Sequence, residues 1–221
     1  MLTPPNMRLG LVTGYINAKG ILMAHITYFF ATISPFTYLA GTRMEVVAQK
    51  HGATVEYRPM DLMAVFGRTG GMPPKDRHIS RIEMRAQELQ REAKKLQMGM
   101  NFKPAFFPVN MAPSSYAFIS AVRYGDGDLG ALAHGFTRAV WNEEKDVSQP
   151  DVISDCLKAA GFDSNLADKD MIGSAEQYAK NTEDAIISGV FGSPFYITDT
   201  DQRFWGQDRI KDLDLILSGI L

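Results

Sequence analysis

The order in which strand-like and helix-like segments follow one another near the start of the chain constrains its fold most. "HITYFF" (25–30) packs strand-favouring residues too densely for a strand with one wet face, so it reads as a central strand covered on both sides. From Pro35 to Lys50 the apolar residues Phe36, Leu39, Ala40, Met44 and Val47 recur at helical spacing, and Gly52 stands just past a plausible helix end. "TVEYRPM" (54–60) supplies a second strand with Pro59 near its end, and "GRTGGMPP" (67–74) is a loop. Strand, helix and strand make a βαβ unit.

The middle of the chain is helical. In "ISRIEMRAQELQREAKKLQM" (79–98) the residues Ile82, Ala86, Leu89, Ala93 and Leu96 form a stripe expected to be buried. Further helices are expected at 113–124, 128–145, 150–161 and 174–188, separated by "YGDGD", "VSQP" and "FDSN". "GVFGSPFYITDTDQRFWG" then reads as two short strands around an Asp-rich turn, and "QDRIKDLDLILSGIL" as a terminal helix with Ile210, Leu213, Ile216 and Leu217 inward. A small mixed sheet made from the first and last segments leaves the middle as an insertion. This is the α/β class, in the layout of a thioredoxin-like fold with a large helical insertion domain. Residues 23–75 and 186–221 are assigned to the thioredoxin-like domain and 76–185 to the helical insertion domain. Residues 1–22 are read as an N-terminal extension ahead of the first convincing strand.

Composition narrows the function. With 45% hydrophobic and 22% charged residues, the 221-residue chain can bury a core without disulfide staples. A net charge of −2 gives no basic footprint for nucleic acid. Cys156, the only cysteine, excludes an internal disulfide, a CxxC redox pair and a thiolate zinc cage, and it fits a reducing compartment. No stretch approaches the roughly 20 apolar residues of a membrane span. The opening residues lack the compact apolar core of a secretory signal, so the cytoplasm is the expected location. No HExxH or comparable spacing points to a metal, and His25 and His134 read as packed or exposed residues rather than ligands.

The chemistry gathers at "FATISPFTYLAG" (30–41), where Ser34 precedes Pro35 at the start of a helix. Taken alone, Ser34 reads as an N-cap: its hydroxyl accepts from an amide of the first turn, and proline at N1 leaves no N–H unpaired. The same geometry suits a second role. Free amides and the positive end of the dipole favour a thiolate over its thiol, and a hydroxyl donating to the sulfur adds to the effect. Because Cys156 lies far off in a helical stretch, that sulfur would come from a ligand.

"SPFTYLAG", "GRTGGMPP", "RHISRIEMRAQEL", "GVFGSPFYI" and "FWGQDRI", in this order from about Met23 to the C-terminus, resemble the 2-hydroxychromene-2-carboxylate isomerases. These are relatives of the kappa-class glutathione transferases in the DsbA-like thioredoxin superfamily. The resemblance implies a glutathione-dependent isomerase that works by thiolate addition, bond rotation and elimination on a small aromatic catabolite. Ser34 matches the serine that contacts the glutathione sulfur, with Thr37 where redox relatives carry their second cysteine. Pro194 is implied to be cis, with the backbone of Ser193 offered to the cysteinyl part of glutathione. Gln207 and Asp208 match the pair that holds the γ-glutamyl end, Asp208 having the charge suited to an ammonium group. A homodimer is also implied. Two alternatives stay open: a kappa-like transferase acting on other electrophiles, and a non-catalytic glutathione or peptide binder.

Without the resemblance, Gln207 and Asp208 read as helix caps and Arg209 as a solvated charge. One departure is visible: kappa-like members commonly carry Asn before the double proline, where this chain has Gly71. His78, Arg81 and Arg85 open the long helix. They read as a solvated face, although a substrate carboxylate would want a guanidinium nearby. Phe29, Phe30, Phe106, Phe107 and Trp205 are core candidates, some of them able to line an apolar pocket.

Overall fold

The computed structural model describes residues 15–16 and 22–221, with side chains from Ala24 onward. Of the extension expected at 1–22, residues 1–14 and 17–21 lie outside the described residues. Within it, β1 (Tyr15–Ile16) pairs antiparallel with β2 (Leu22–Met23).

The strand β3 (His25–Phe30) is central, as its composition requires. It pairs in parallel with β4 (Thr54–Pro59), His25 opposite Thr54 and Phe30 opposite Pro59. On its other edge it pairs antiparallel with β5 (Phe195–Thr198), which in turn pairs with β6 (Arg203–Trp205). The sheet order is therefore β4-β3-β5-β6, an open mixed sheet built from strands before and after the helical block. Pro59 ends β4 on an edge strand, where a missing N–H costs nothing.

The single helix expected over residues 35–50 is two helices, α1 (Pro35–Ala40) and α2 (Arg43–His51). Gly41 separates them, with φ 59° and ψ −135°, a conformation open to glycine and closed to residues bearing a Cβ. Apolar spacing continues through this break, which is why periodicity reads one helix. Gly52 ends α2 in the left-handed region, as expected.

A third helix, α3 (Leu62–Arg68), has no counterpart in the sequence reading. Asp61 caps it, one carboxylate oxygen accepting from the amides of Met63 and Ala64 at 2.9 and 3.1 Å. The helical block follows as α4 (Ile79–Leu96), α5 (Ala112–Tyr124), α6 (Leu129–Trp141), α7 (Pro150–Ala159) and α8 (Met171–Ile187). All five lie between β4 and β5 in the chain. The last helix, α9 (Ile210–Leu217), buries Ile210 and Leu213 and packs against α2.

The stripe expected along α4 is buried only in its C-terminal half, at Leu89 and Ala93. Ile82 is 39% exposed and Ala86 is exposed as well. The partner α1 has six residues, about 9 Å of helix, and cannot cover the roughly 27 Å of α4.

One continuous core joins sheet and helices, and its largest fully buried side chains include Trp141, Tyr196, Phe29, Phe30, Phe118 and Phe136. Phe118 of α5 meets Phe30 of β3 edge-on at 5.0 Å, so the helical block is anchored directly on the central strand. Of the expected core aromatics, Phe106 and Trp205 are 49% and 53% exposed, and Phe107 packs on Trp141. The same core holds a polar knot. Tyr28 stacks on Tyr196, and the Tyr57 hydroxyl donates to Glu45 at 3.0 Å. The other Glu45 oxygen is shut from solvent with no hydrogen-bond partner among the described residues. Burial, first of the causes, lifts the Glu45 carboxyl to about 6.

Candidate active site

Ser34 sits where β3 has ended and α1 begins, in extended backbone geometry that turns its side chain onto the first helical turn. Its hydroxyl accepts from the Thr37 amide at 3.2 Å, the capping bond read from the sequence. It also donates, at 3.2 Å, to the backbone carbonyl of Ser193. The Ser193–Pro194 bond is cis, as the resemblance implied.

The Ser193 side chain adds contacts that sequence reasoning missed. Its oxygen accepts from the Ala31 amide at 2.9 Å and shares a 2.8 Å hydrogen bond with the Thr37 hydroxyl. Three hydroxyls, of Ser34, Thr37 and Ser193, therefore form one buried cluster, with exposures of 3%, 2% and 6%. A serine before the proline leaves the first amide beyond β3 satisfied, which an aliphatic side chain could not do. The only sequence signal for this cluster is the hydroxyl character of the three residues.

Two long-range bonds steady the corner. The fully buried indole of Trp141, at the end of α6, donates to the Ile33 carbonyl at 3.0 Å, one residue before Ser34. Arg43 extends its guanidinium to the carbonyls of Leu39 and Ala40 at the end of α1, and to the Gln207 carbonyl at 3.2 Å.

Gln207 and Asp208 lie beside the cis-proline because the Gly206 amide donates to the Pro194 carbonyl at 3.0 Å. Gly206 has a φ of 113°, and a Cβ there would fall 2.5 Å from a carboxylate oxygen of Asp208, so glycine allows that carboxylate to lie over the backbone. Gln207 is buried in a short 3-10 turn, whereas the Asp208 side chain is 49% exposed, with Arg209 at 3.5 Å. Ser34, Ser193, Pro194, Gln207 and Asp208 thus lie in one hydrogen-bonded region, in which Asp208 alone is exposed.

Other sequence candidates fall elsewhere. His78 caps α4, its Nδ1 accepting from the Ser80 amide at 3.3 Å. His134 stacks on Tyr38 at 5.5 Å, its pKa lowered by burial and by Arg138. Burial, with the Glu143 charge, pushes the Cys156 thiol up to about 11, so it stays protonated at neutral pH. Gly71 packs on Phe66, where a Cβ would lie 2.6 Å from the ring. Clefts of about 300 and 260 Å³ lie between the outer sheet face and α8 and beside α3, and Ser34 lines neither. Among the described residues no side-chain group has metal-ligand geometry, and no helix is long and apolar enough to cross a membrane.

Comparison with known proteins places this geometry in context. Residues 25–218 match the model of the DSBA-like thioredoxin domain. The chain is 29% identical over 195 residues to the 2-hydroxychromene-2-carboxylate isomerase of Sphingobium xenophagum, covering 87% of this chain and 97% of that one. It is 30% identical over 207 residues to the enzyme of the same name from a Pseudomonas species, covering 90% and 92%. A solved structure of 2-hydroxychromene-2-carboxylate isomerase superposes with a TM-score of 0.68 at 26% identity, covering 89% of this chain and 95% of that one. The chain therefore belongs to the DsbA-like thioredoxin family, in the group that includes the 2-hydroxychromene-2-carboxylate isomerases.

Proposed function

We propose that the protein is a glutathione-dependent isomerase of aromatic catabolites of the 2-hydroxychromene-2-carboxylate type, working in the reducing cytoplasm. The observation that supports this most is the buried cluster of Ser34, Thr37 and Ser193 against a cis-proline, in a chain whose relatives carry that isomerase name.

The residues suit glutathione. The Ser193 carbonyl accepts a bond from Ser34 and, with two lone pairs, has capacity for a cysteinyl N–H in the manner of an added strand. Asp208 offers an exposed carboxylate for an α-ammonium group, its contact with Arg209 being loose at 3.5 Å. Cys156, protonated and half-buried, is no competing sulfur.

Glutathione, when bound, supplies the sulfur nucleophile whose reversible addition to a conjugated double bond frees that bond to rotate. The chain's own residues do the rest. Ser34 turns its proton from the Ser193 carbonyl toward the sulfur and so favours the anionic form. Each unit by which a thiol pKa falls is about 1.4 kcal/mol. With α1 only six residues long, the dipole behind this corner is short, and the hydroxyl carries more of the effect than a sixteen-residue helix would have required. Thr37 holds the Ser193 side chain while its carbonyl changes partner.

The test is product mass together with glutathione titration. A product of unchanged mass and altered absorbance, formed only with glutathione present, is the expected result. A stable glutathione conjugate would identify a transferase instead, and glutathione binding without turnover of any electrophile would leave a binding protein.

A further inference from the structure

Residues 31–34 carry the chain from β3 to α1, and their polar groups are held from several elements at once. The Ala31 amide donates to the Ser193 hydroxyl at 2.9 Å, and the Ala31 carbonyl accepts from the Ser34 amide at 3.0 Å. Thr32, fully buried, shares a 2.8 Å hydrogen bond with the Ser114 hydroxyl of α5. The Ile33 carbonyl accepts from the Trp141 indole of α6 at 3.0 Å, and among the described residues it has no other donor.

The last of these bonds governs a dipole. In a trans peptide the C=O and the N–H point in opposite directions, so the peptide between Ile33 and Ser34 is fixed at one end by Trp141 and at the other by Ala31. Its carbonyl is turned onto an indole that is 2% exposed, and so inward from any ligand that arrives from solvent. With the indole N–H removed, the peptide is free to turn about its flanking bonds and carry the negative end of its dipole toward the serine corner. A carbonyl oxygen there opposes a neighbouring thiolate.

Trp141 is itself held still. It is the last residue of α6, its carbonyl accepts from the Asn101 amide at 2.7 Å, and its ring packs on Phe107 at 4.7 Å. A buried indole needs an acceptor wherever it lies, but packing alone does not require that acceptor to be the residue before Ser34.

We infer that Trp141 is a positioning residue for the sulfur site: its N–H holds the peptide before Ser34 in the orientation that withholds the Ile33 carbonyl from a thiolate received there. The helical block thereby sets the chemistry at the start of α1. The inference deepens the glutathione reading and rests on it for the thiolate, whereas the clamp on the peptide needs no ligand.

The test changes position 141 in two ways: Trp141→Phe, and β-(3-benzothienyl)alanine in place of Trp141, which keeps the outline of the indole and lacks its N–H. Tyr38→Phe, which removes the hydroxyl that donates from α1 to the Gly99 carbonyl at 2.5 Å, is the control for general loosening. Each protein is read by ultraviolet titration of the bound glutathione thiolate and, without glutathione, by hydrogen exchange at the Ser34 amide. Both changes at 141 should raise the bound thiol pKa by about one unit, and Ser34 exchange should quicken about tenfold or more. Tyr38→Phe should alter neither. If Trp141→Phe does not fold, the benzothienyl variant decides, since it conserves the packed volume. An unchanged thiol pKa in a folded variant overturns the inference, and so does an equal rise in Tyr38→Phe. A wild type that binds no glutathione sinks the isomerase reading instead. Ser34 exchange then decides the clamp alone: faster exchange in the 141 variants upholds it, and unchanged exchange overturns it.

Discussion

The Ser34 hydroxyl donates to the Ser193 carbonyl at 3.2 Å, joining two residues 159 positions apart. The bond holds the proton that the proposed mechanism needs, and it is directed at a carbonyl that can take a replacement donor. Ser34→Ala removes this bond and the helix cap together. Stability should fall by about 1–2 kcal/mol in urea denaturation. The ultraviolet thiolate absorbance of bound glutathione should fall as well, its apparent thiol pKa rising by about one unit. Equal thiolate signal in both proteins would remove Ser34 from the mechanism.

Ser193→Ala tests the second half of the cluster. It strips the Ala31 amide and the Thr37 hydroxyl of a partner in a buried setting. The expected cost is about 1–3 kcal/mol in urea, with glutathione affinity reduced less than in Ser34→Ala, since the backbone carbonyl of residue 193 remains. A neutral effect on stability would show that water or another side chain satisfies the amide.

Gly71→Asn, which introduces the asparagine expected at this position from the resemblance, should not create a new ligand contact in this loop. The new Cβ meets the Phe66 ring at 2.6 Å and its backbone at 3.1 Å, so the loop must move. Overpacking of this kind costs about 1–3 kcal/mol, and calorimetry should find glutathione binding no tighter. Tenfold tighter binding with an unchanged melting temperature would contradict this.

Glu45 gives the protein a pH-dependent stability. Burial raises its carboxyl from 4.5 to about 6, with the Asp128 charge adding and the Tyr57 hydroxyl opposing. The protonated form is the one the fold prefers, so its contribution is full below about 4.5. It declines as pH rises, and it is gone above about 6. The span corresponds to about 2 kcal/mol as an order of magnitude. Glu45→Gln should flatten the stability profile across that window and raise stability at pH 7.5 by about 1–2 kcal/mol. A variant less stable than wild type at pH 7.5 would mean that the ionised carboxylate is well solvated.

Much of this fold could be read in the residues because its signals are local. The density of "HITYFF" marks the central strand, and Gly52 marks the end of α2. The break at Gly41 escaped because Leu39, Ala40, Met44 and Val47 keep helical spacing on both sides of it. The helix α3 escaped because its seven mostly apolar residues lie between a proline-ended strand and a glycine-rich loop. Periodicity identified α4 as amphipathic but could not tell that its N-terminal half has no covering partner among the described residues. At the site, the Ser34 cap and the resemblance were legible. The bonds from Trp141 to Ile33, from Arg43 to Gln207 and between Thr37 and Ser193 were not, because nothing in a linear pattern marks residues that meet only after folding.

Arg43 has a mechanical consequence. By gripping the carbonyls at the end of α1 and the Gln207 carbonyl with one planar group, it makes the serine corner and the Asp208 turn a single rigid jaw. A tripeptide bound as proposed between them would meet a fixed span, and a thiol peptide of another length would be expected to fit it less well.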